Sequence, residues 1–333
     1  MTLVSIALFA LQASAQLEWS HPPSFQTPLG SIGDWDDGFH MVGDLVFDGA
    51  TYHLFLLGGH DLNSFTGWAL GHWTSTDLDT WTEDANNPVF TPDDPWGDDS
   101  VISTAILYRD GLFHMWYGAT SGGGTGAAGY ATSVDGSTWN RAAGPVASLG
   151  AGLPGAFDDA GFYPSAVIHK DGAYHMWGTG VRIADGLWQI GYAWSSDGLS
   201  WFKLPDPVIA VDNDVPRWMR LGAYLPEVVP HGELFAMWHT GRNSVVPNHT
   251  ISIGHALSRD GIRWNHWVDN PIISPYGGCN GAHAMAVLNI GDTGHGFFGH
   301  CFDDGHSTSP LDLVSYDGFE SGFFGPWARW TTE

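Results

Sequence analysis

Apolar residues in this chain come in short runs broken by polar turns, and one such run returns at a fixed interval. The segments Thr51-Tyr-His-Leu-Phe55, Leu112-Phe-His-Met-Trp116, Ala173-Tyr-His-Met-Trp177 and Leu234-Phe-Ala-Met-Trp238 align directly, with Tyr52, Phe113, Tyr174 and Phe235 each 61 residues apart. A weaker fifth copy is Gly296-Phe-Phe-Gly-His300. Each follows an apolar run and a polar turn, such as Arg109-Asp110-Gly111 or Lys170-Asp171-Gly172. That order predicts a strand, a tight turn and a second strand.

A second motif trails each hairpin. It reads Ser75-Thr-Asp-Leu-Asp-Thr-Trp81, Ser133-Val-Asp-Gly-Ser-Thr-Trp139, Ser195-Ser-Asp-Gly-Leu-Ser-Trp201 and Ser258-Arg-Asp-Gly-Ile-Arg-Trp264. The residues before it predict a third strand, the Asp-Gly a turn, and the Trp the start of a fourth. A unit is therefore about four strands in about 61 residues, and five units need about 305. Four-stranded sheets repeated about an axis protect their own edges. The predicted fold is all-β, a five-bladed β-propeller with about four antiparallel strands per blade. Expected boundaries are a signal peptide at 1–15, one propeller domain at 16–315, and a C-terminal tail or closing strand at 316–333. His53, His114 and His175 recur at equivalent strand positions and read as scaffold.

Composition supports this picture and adds a charge constraint. The chain has 18 Trp, 18 Phe, 10 Tyr, 45 Gly and 19 Pro, the strand and turn formers of an all-β domain. Against 36 Asp plus Glu stand 11 Lys plus Arg, giving a net charge of −25. Phosphate backbones need clustered positive charge, so nucleic acid is excluded as a partner. Docking on anionic lipid is disfavoured on the same ground, and no run is apolar enough for a membrane span. The start of the chain is a short apolar run ending in Ala13-Ser14-Ala15, an export-signal cleavage pattern without a preceding Lys or Arg. It predicts a secreted protein, extracellular or periplasmic. In that setting Cys279 and Cys301 are expected to form a disulfide, with two buried thiols as the rival.

In a propeller the residues entering the first strand of each unit converge on a central funnel. The 61-residue offset makes Asp37, Asp98, Asp159 and Arg220 equivalent, so three carboxylates and a guanidinium are expected at one level. Further along, Asp44 aligns with Ala105, Ala166 and Glu227, a carboxylate only in the first and fourth units. Like charges held close raise one carboxyl pKa, which supplies the acid and base that glycosidic cleavage needs. Glu227, in an apolar context, is the acid candidate. Asp37 and Asp44 compete as base, while Asp159 or Asp99 can tune the acid and position substrate. His283 can ligate a cation, contact sugar or sit in the core. Tyr163, Tyr224, Trp35, Trp96 and Trp218 can stack on sugar rings or pack between strands.

These units, with Asp-Asp before the inner strand, Phe/Tyr-His-Met-Trp in the second and Ser-x-Asp-Gly-x-x-Trp in the turn, resemble the five-bladed propeller glycosidases of family 43 and the related family 32. The resemblance covers nearly the whole mature chain. It implies a first-blade Asp, a middle-blade helper Asp, a later-blade Glu acid and a last-blade His near a central cation. Asp37 or Asp44, Asp159, Glu227 and His283 fall in those regions. His-Asp-Pro, Asn-Asp-Pro-Asn and Arg-Asp-Pro signatures are absent, as is a Glu-Cys pair. The expected activity is a two-carboxylate glycoside hydrolase acting on a plant or algal glycan. It is expected to be monomeric, to need no cofactor and to hold at most a structural Ca2+ in the funnel. The alternatives are a lyase using Tyr163, Tyr224 or His283 as base on a uronate-containing glycan, and a non-catalytic carbohydrate-binding propeller. Arg217 and Arg220 hint at an anionic sugar, because their forks match carboxylates.

Overall fold

A computed structural model describes residues 19–20, 29–61, 65–92, 99–120, 126–211, 215–243, 250–267, 270–274, 282–290, 293–300, 302–303, 306–307 and 312–317. Cys279, Cys301, Asp98, Trp96 and the expected signal peptide at 1–15 lie outside these residues. Regular structure among the described residues is strand, apart from two three-residue 3₁₀ turns, Ala147–Leu149 and Arg217–Met219. Among them no helix is long and apolar enough to cross a membrane.

Five strands open the repeated units: β1 (Phe39–Phe47), β2 (Ser100–Arg109), β3 (Gly161–Lys170), β4 (Gly222–His231) and β5 (Ala282–Ile290). Each pairs antiparallel with the next strand in the chain, closing the predicted hairpins. The first two units are separate four-stranded sheets. The third and fourth join into one eight-stranded sheet through a single parallel bridge, Trp188 to Gly222. In the last sheet Asp312–Asp317 is the third strand, and Trp19–Ser20, from the other end of the chain, is the fourth. The opening strands pack on one another in chain order, and β5 packs back on β1. This ring is mainly one of side-chain packing, because among the described residues the third and fourth units alone are bridged into one sheet.

The two sequence motifs interlock between units. In the turn, Ser133 Oγ accepts the Gly136 N–H at 2.8 Å, Asp135 Oδ1 accepts the Thr138 N–H at 2.8 Å, and Trp139 Nε1–H donates to Gly136 O at 2.9 Å. The same bonds recur around Asp197 and Asp260. Gly136, Gly198 and Gly261 hold φ of 78°, 76° and 73°, which a side chain disfavours. The preceding unit's second strand reaches into this turn. Trp116 Nε1–H donates to Gly198 O and Trp177 Nε1–H to Gly261 O, both at 2.8 Å. The rings follow: Phe55 meets Trp139 at 6.0 Å, Trp116 meets Trp201 at 5.7 Å, and Trp177 meets Trp264 at 6.0 Å, all edge-on. Phe55, Trp116 and Trp177 are buried, so each contact is core.

The recurrent histidines bond within their own units. His114 Nδ1 lies 2.7 Å from the Tyr130 hydroxyl, and His175 Nδ1 lies 2.7 Å from that of Tyr192. His53 contacts His72 at 2.9 Å and Asp48 at 3.2 Å.

Trp116→Phe and Trp177→Phe should each lower unfolding free energy by about 1–3 kcal/mol, through the lost hydrogen bond and a void at the inter-unit contact. Trp194→Phe, on an exposed ring, should stay within about 0.5 kcal/mol. Urea titrations of the three variants check this, and equal effects at all three positions would refute the interlock.

Candidate active site

Every opening strand carries an irregularity in register. The skipped residues are Gly43 in β1, Ile102 in β2, Ser165 in β3, Leu225 and Pro226 in β4, and Ala284 in β5. A bulge bends its strand and re-aims the side chains around it. Two are built on strained backbone: Leu225 and Ala284 have φ of 48° and 49°. The preceding unit holds both. Leu225 N–H donates to Thr179 Oγ1 at 3.0 Å, and Ala284 N–H to Thr240 Oγ1 at 3.1 Å. Thr179 and Thr240 are themselves one 61-residue repeat apart.

Between the bulges lies a small cavity lined by residues of all five opening strands, including Gly43, Ser103, Thr104, Ser165, Pro226 and Ala284. It has room for about one water. The Ser103 and Thr104 hydroxyls are buried without a protein hydrogen-bond partner. A water or a sugar hydroxyl placed there meets two polar groups.

Asp44 and Glu227 stand immediately past the bulges of β1 and β4, opposite Phe55 and Trp238. Ala105 and Ala166 hold the matching places opposite Trp116 and Trp177. The two acids are 6% and 7% exposed. Asp44 Oδ2 accepts the Ile106 N–H of β2 at 2.5 Å, and its Oδ1 the Leu45 N–H at 2.8 Å. Glu227 Oε1 accepts the Val287 N–H of β5 at 3.2 Å. Each carboxyl thus clasps the following unit. Burial raises Asp44 to about 7 against the pull of its two amide bonds. Burial, then the charge of Asp44, raises Glu227 well above the ordinary range. Near neutrality the pair retains at least one proton, the protonation that acid–base chemistry requires.

The other predicted residues are placed differently. Asp37 accepts the Gly33 N–H at 2.7 Å and contacts the exposed His60 ring at 2.5 Å. Asp159 accepts the Gly155 N–H at 2.9 Å and the Ile183 N–H at 2.6 Å. These bonds lower both carboxyls and engage them in their own loops. Asp99 is exposed, and its backbone ties the first two units through Gly67 N–H and Thr120 O. Arg217 and Arg220 are exposed around a 3₁₀ turn. Tyr163 is buried over Gly126, where a Cβ would lie 2.2 Å from its ring. Trp218 packs on Gly254, where a Cβ would lie equally close at 2.2 Å. Tyr224 is buried edge-on to Trp188 at 4.6 Å. His283 lies in β5 opposite Gly299, and its side chain is outside the described residues. Among the described residues no group of three His, Cys, Asp or Glu is arranged to hold a metal ion.

Sequence reasoning missed Thr104 and Ser165, although they align with Gly43 and Pro226 at the 61-residue offset. It also missed Arg242, which stands where the offset gives Val181, Thr120 and Gly59. The filter that singled out Asp44 and Glu227, applied to the second strand, finds it.

No family model matches the chain, and no curated protein matches it significantly. Solved structures do. A complex of BT0996 with RGII aligns over 93% of this chain and 96% of its own, at 16% identity and TM-score 0.69. A structure from the GH130 family of mannoside phosphorylases, described as containing glycoside hydrolases that target β-1,2 mannosidic linkages in Candida mannan, aligns over 95% and 98%, at 16% identity and TM-score 0.68. A thermostable family-43 glycoside hydrolase aligns over 93% and 98%, at 18% identity and TM-score 0.62. At these identities the likeness establishes a shared fold of propeller type.

Because Asp44 and Glu227 prefer their protonated forms when folded, their contribution to stability is fully present below the ordinary values, 3.8 and 4.5, and is lost as pH rises toward about 7 and beyond. Glu227→Gln keeps an oxygen for the Val287 N–H and carries no charge. It should stabilise the fold by about 1–3 kcal/mol at pH 8 and change little at pH 4. Thermal unfolding at the two pH values checks this; an equal effect at both rules out a buried, proton-retaining pair.

Proposed function

We propose that the chain is a glycoside-hydrolase-type enzyme whose five repeated units form a five-bladed propeller, with Asp44 and Glu227 as its acid–base pair. One observation carries the reading: the two positions where the repeat exchanges Ala for a carboxylate are brought together, buried and proton-retaining, beside a polar cavity between the opening strands. The structural neighbours named as glycoside hydrolases support it.

Glu227 has its carboxyl raised by burial and by Asp44, so it is the proton donor to the leaving glycosidic oxygen. Asp44, whose two amide hydrogen bonds favour its ionised form, is the carboxylate that activates water or attacks the anomeric carbon. Ser103 and Thr104 orient the water or a sugar hydroxyl in the cavity. This chemistry calls on no cofactor, and a Ca2+ ion in the funnel would be structural. The expected setting is outside the cytoplasm, on a plant or algal glycan, as a monomer.

A second reading, a non-catalytic carbohydrate-binding propeller, is favoured by the clasp itself. Both carboxyls already accept amide hydrogens from the next unit, and the adjoining cavity admits about one water.

A screen for reducing ends and unsaturated products across a polysaccharide panel separates the readings. Asp44→Asn and Glu227→Gln should each lower kcat by about 10²- to 10⁴-fold without loss of fold by circular dichroism. Full activity in both sinks the two-carboxylate mechanism. Unsaturated products point to a lyase, and affinity without turnover to a binding module.

A further inference from the structure

Arg242 ends the second strand of the fourth unit, at the rim where the opening strands begin. It pairs with Gly222, the first residue of β4, and Gly222 bridges to Trp188 of the third unit. Its guanidinium lies 5.2 Å over the Trp188 ring. Among the described residues its Nη2 reaches only the Leu221 carbonyl, at 3.5 Å, and its buried Nε has no hydrogen-bond partner.

Four other cations have carboxylate partners. Arg182 pairs with Asp185, Arg263 with Asp260, Arg109 with Asp110, and Lys203 with Asp158. Arg242 has no carboxylate partner among the described residues, in a chain with 36 acidic and 11 basic residues. A half-buried guanidinium left without its natural counter-ion in so acidic a protein is poised for an anion from outside.

The surroundings say what kind of anion. Trp188 is edge-on to Tyr224 at 4.6 Å and to Phe65 at 6.4 Å. Phe65 comes from the first unit, is 38% exposed, and holds the unfavourable φ of 48°. An exposed aromatic kept in strained backbone beside a second ring suits the apolar face of a sugar. A ring platform beside an unpaired guanidinium matches a sugar that carries its own carboxylate.

We propose that Arg242, stacked on Trp188 beside Phe65, is a specificity-determining residue that selects a uronic acid residue of the glycan. This rests on the glycan reading above and narrows its substrate class. The guanidinium Nη1 and Nη2 donate two parallel hydrogen bonds to the uronate carboxylate, and the exposed Phe65 ring takes the sugar face. The net charge of −25 gives the chain no general affinity for anions, so a preference for an acidic sugar has to arise from a local cation.

Isothermal titration with tri-uronate oligosaccharides from pectin and alginate, each beside its carboxyl-reduced counterpart, tests this. Wild type should favour the acidic member by about 10- to 100-fold. Arg242→Gln should abolish that preference and leave the reduced sugars within about twofold, while Arg242→Lys, a charge without the fork, should retain part of it. Equal wild-type affinity for acidic and reduced sugars overturns the assignment and leaves the glycan reading standing. An Arg242→Gln variant that weakens both alike also overturns it, because the residue then only supports Trp188. Binding of no member overturns it too, whereas the glycosidase reading falls only on the activity screen.

Discussion

The contact on which the structure depends is the one between the second strand of a unit and the Asp-Gly turn of the next. Phe55, Trp116 and Trp177 each place a buried ring against the turn tryptophan of the following unit. In two of these contacts an indole N–H also closes on the turn glycine. Apart from a few hydrogen bonds between opening strands and loops, neighbouring units share apolar surface, which has no direction. The hydrogen bond and the left-handed glycine give the contact a register, and the repeat of that register around the chain aligns the opening strands.

Once those strands are aligned, local departures acquire meaning. Bulges at Gly43, Ser165, Leu225 and Ala284 face a common cavity because the units behind them are held in phase. Asp44 and Glu227 exploit the same alignment. Each reaches the amide of the next opening strand, at Ile106 and Val287. Burial opposes the ionised form of both, so the pair costs stability at neutral pH that Ala would not. On the proposed function, this cost, absent at the two equivalent Ala positions, is offset by chemistry. At the rim, Arg242 is held over Trp188 with no carboxylate partner among the described residues.

Much of the architecture was legible because it is periodic. The spacing of Tyr52, Phe113, Tyr174 and Phe235, and the Ser-x-Asp-Gly-x-x-Trp turns, mark out hairpins and units that the strands reproduce closely. Asp44 and Glu227 were legible as exceptions to that period. Asp37 and Asp159 look alike for the opposite reason: they obey it, and the structure shows each accepting the same amide, four residues back, at Gly33 and Gly155. Thr104, Ser165 and Arg242 were present in the alignment but escaped notice, since hydroxyls and a strand-end arginine carry no signal until their surroundings are known.

The sequence by itself determined the repeat, the strand order within a unit and the positions where the repeat is broken, because alternation, turn chemistry and spacing are local properties of the chain. Only the tertiary structure decided which exceptions meet. Asp44 and Glu227 are three units apart in sequence, and their proximity arises from the ring that returns β5 to β1. Burial and the mutual elevation of their carboxyls depend on what surrounds them in space, as does the isolation of Arg242. Those are long-range electrostatic and solvation effects, and no window along the chain contains them.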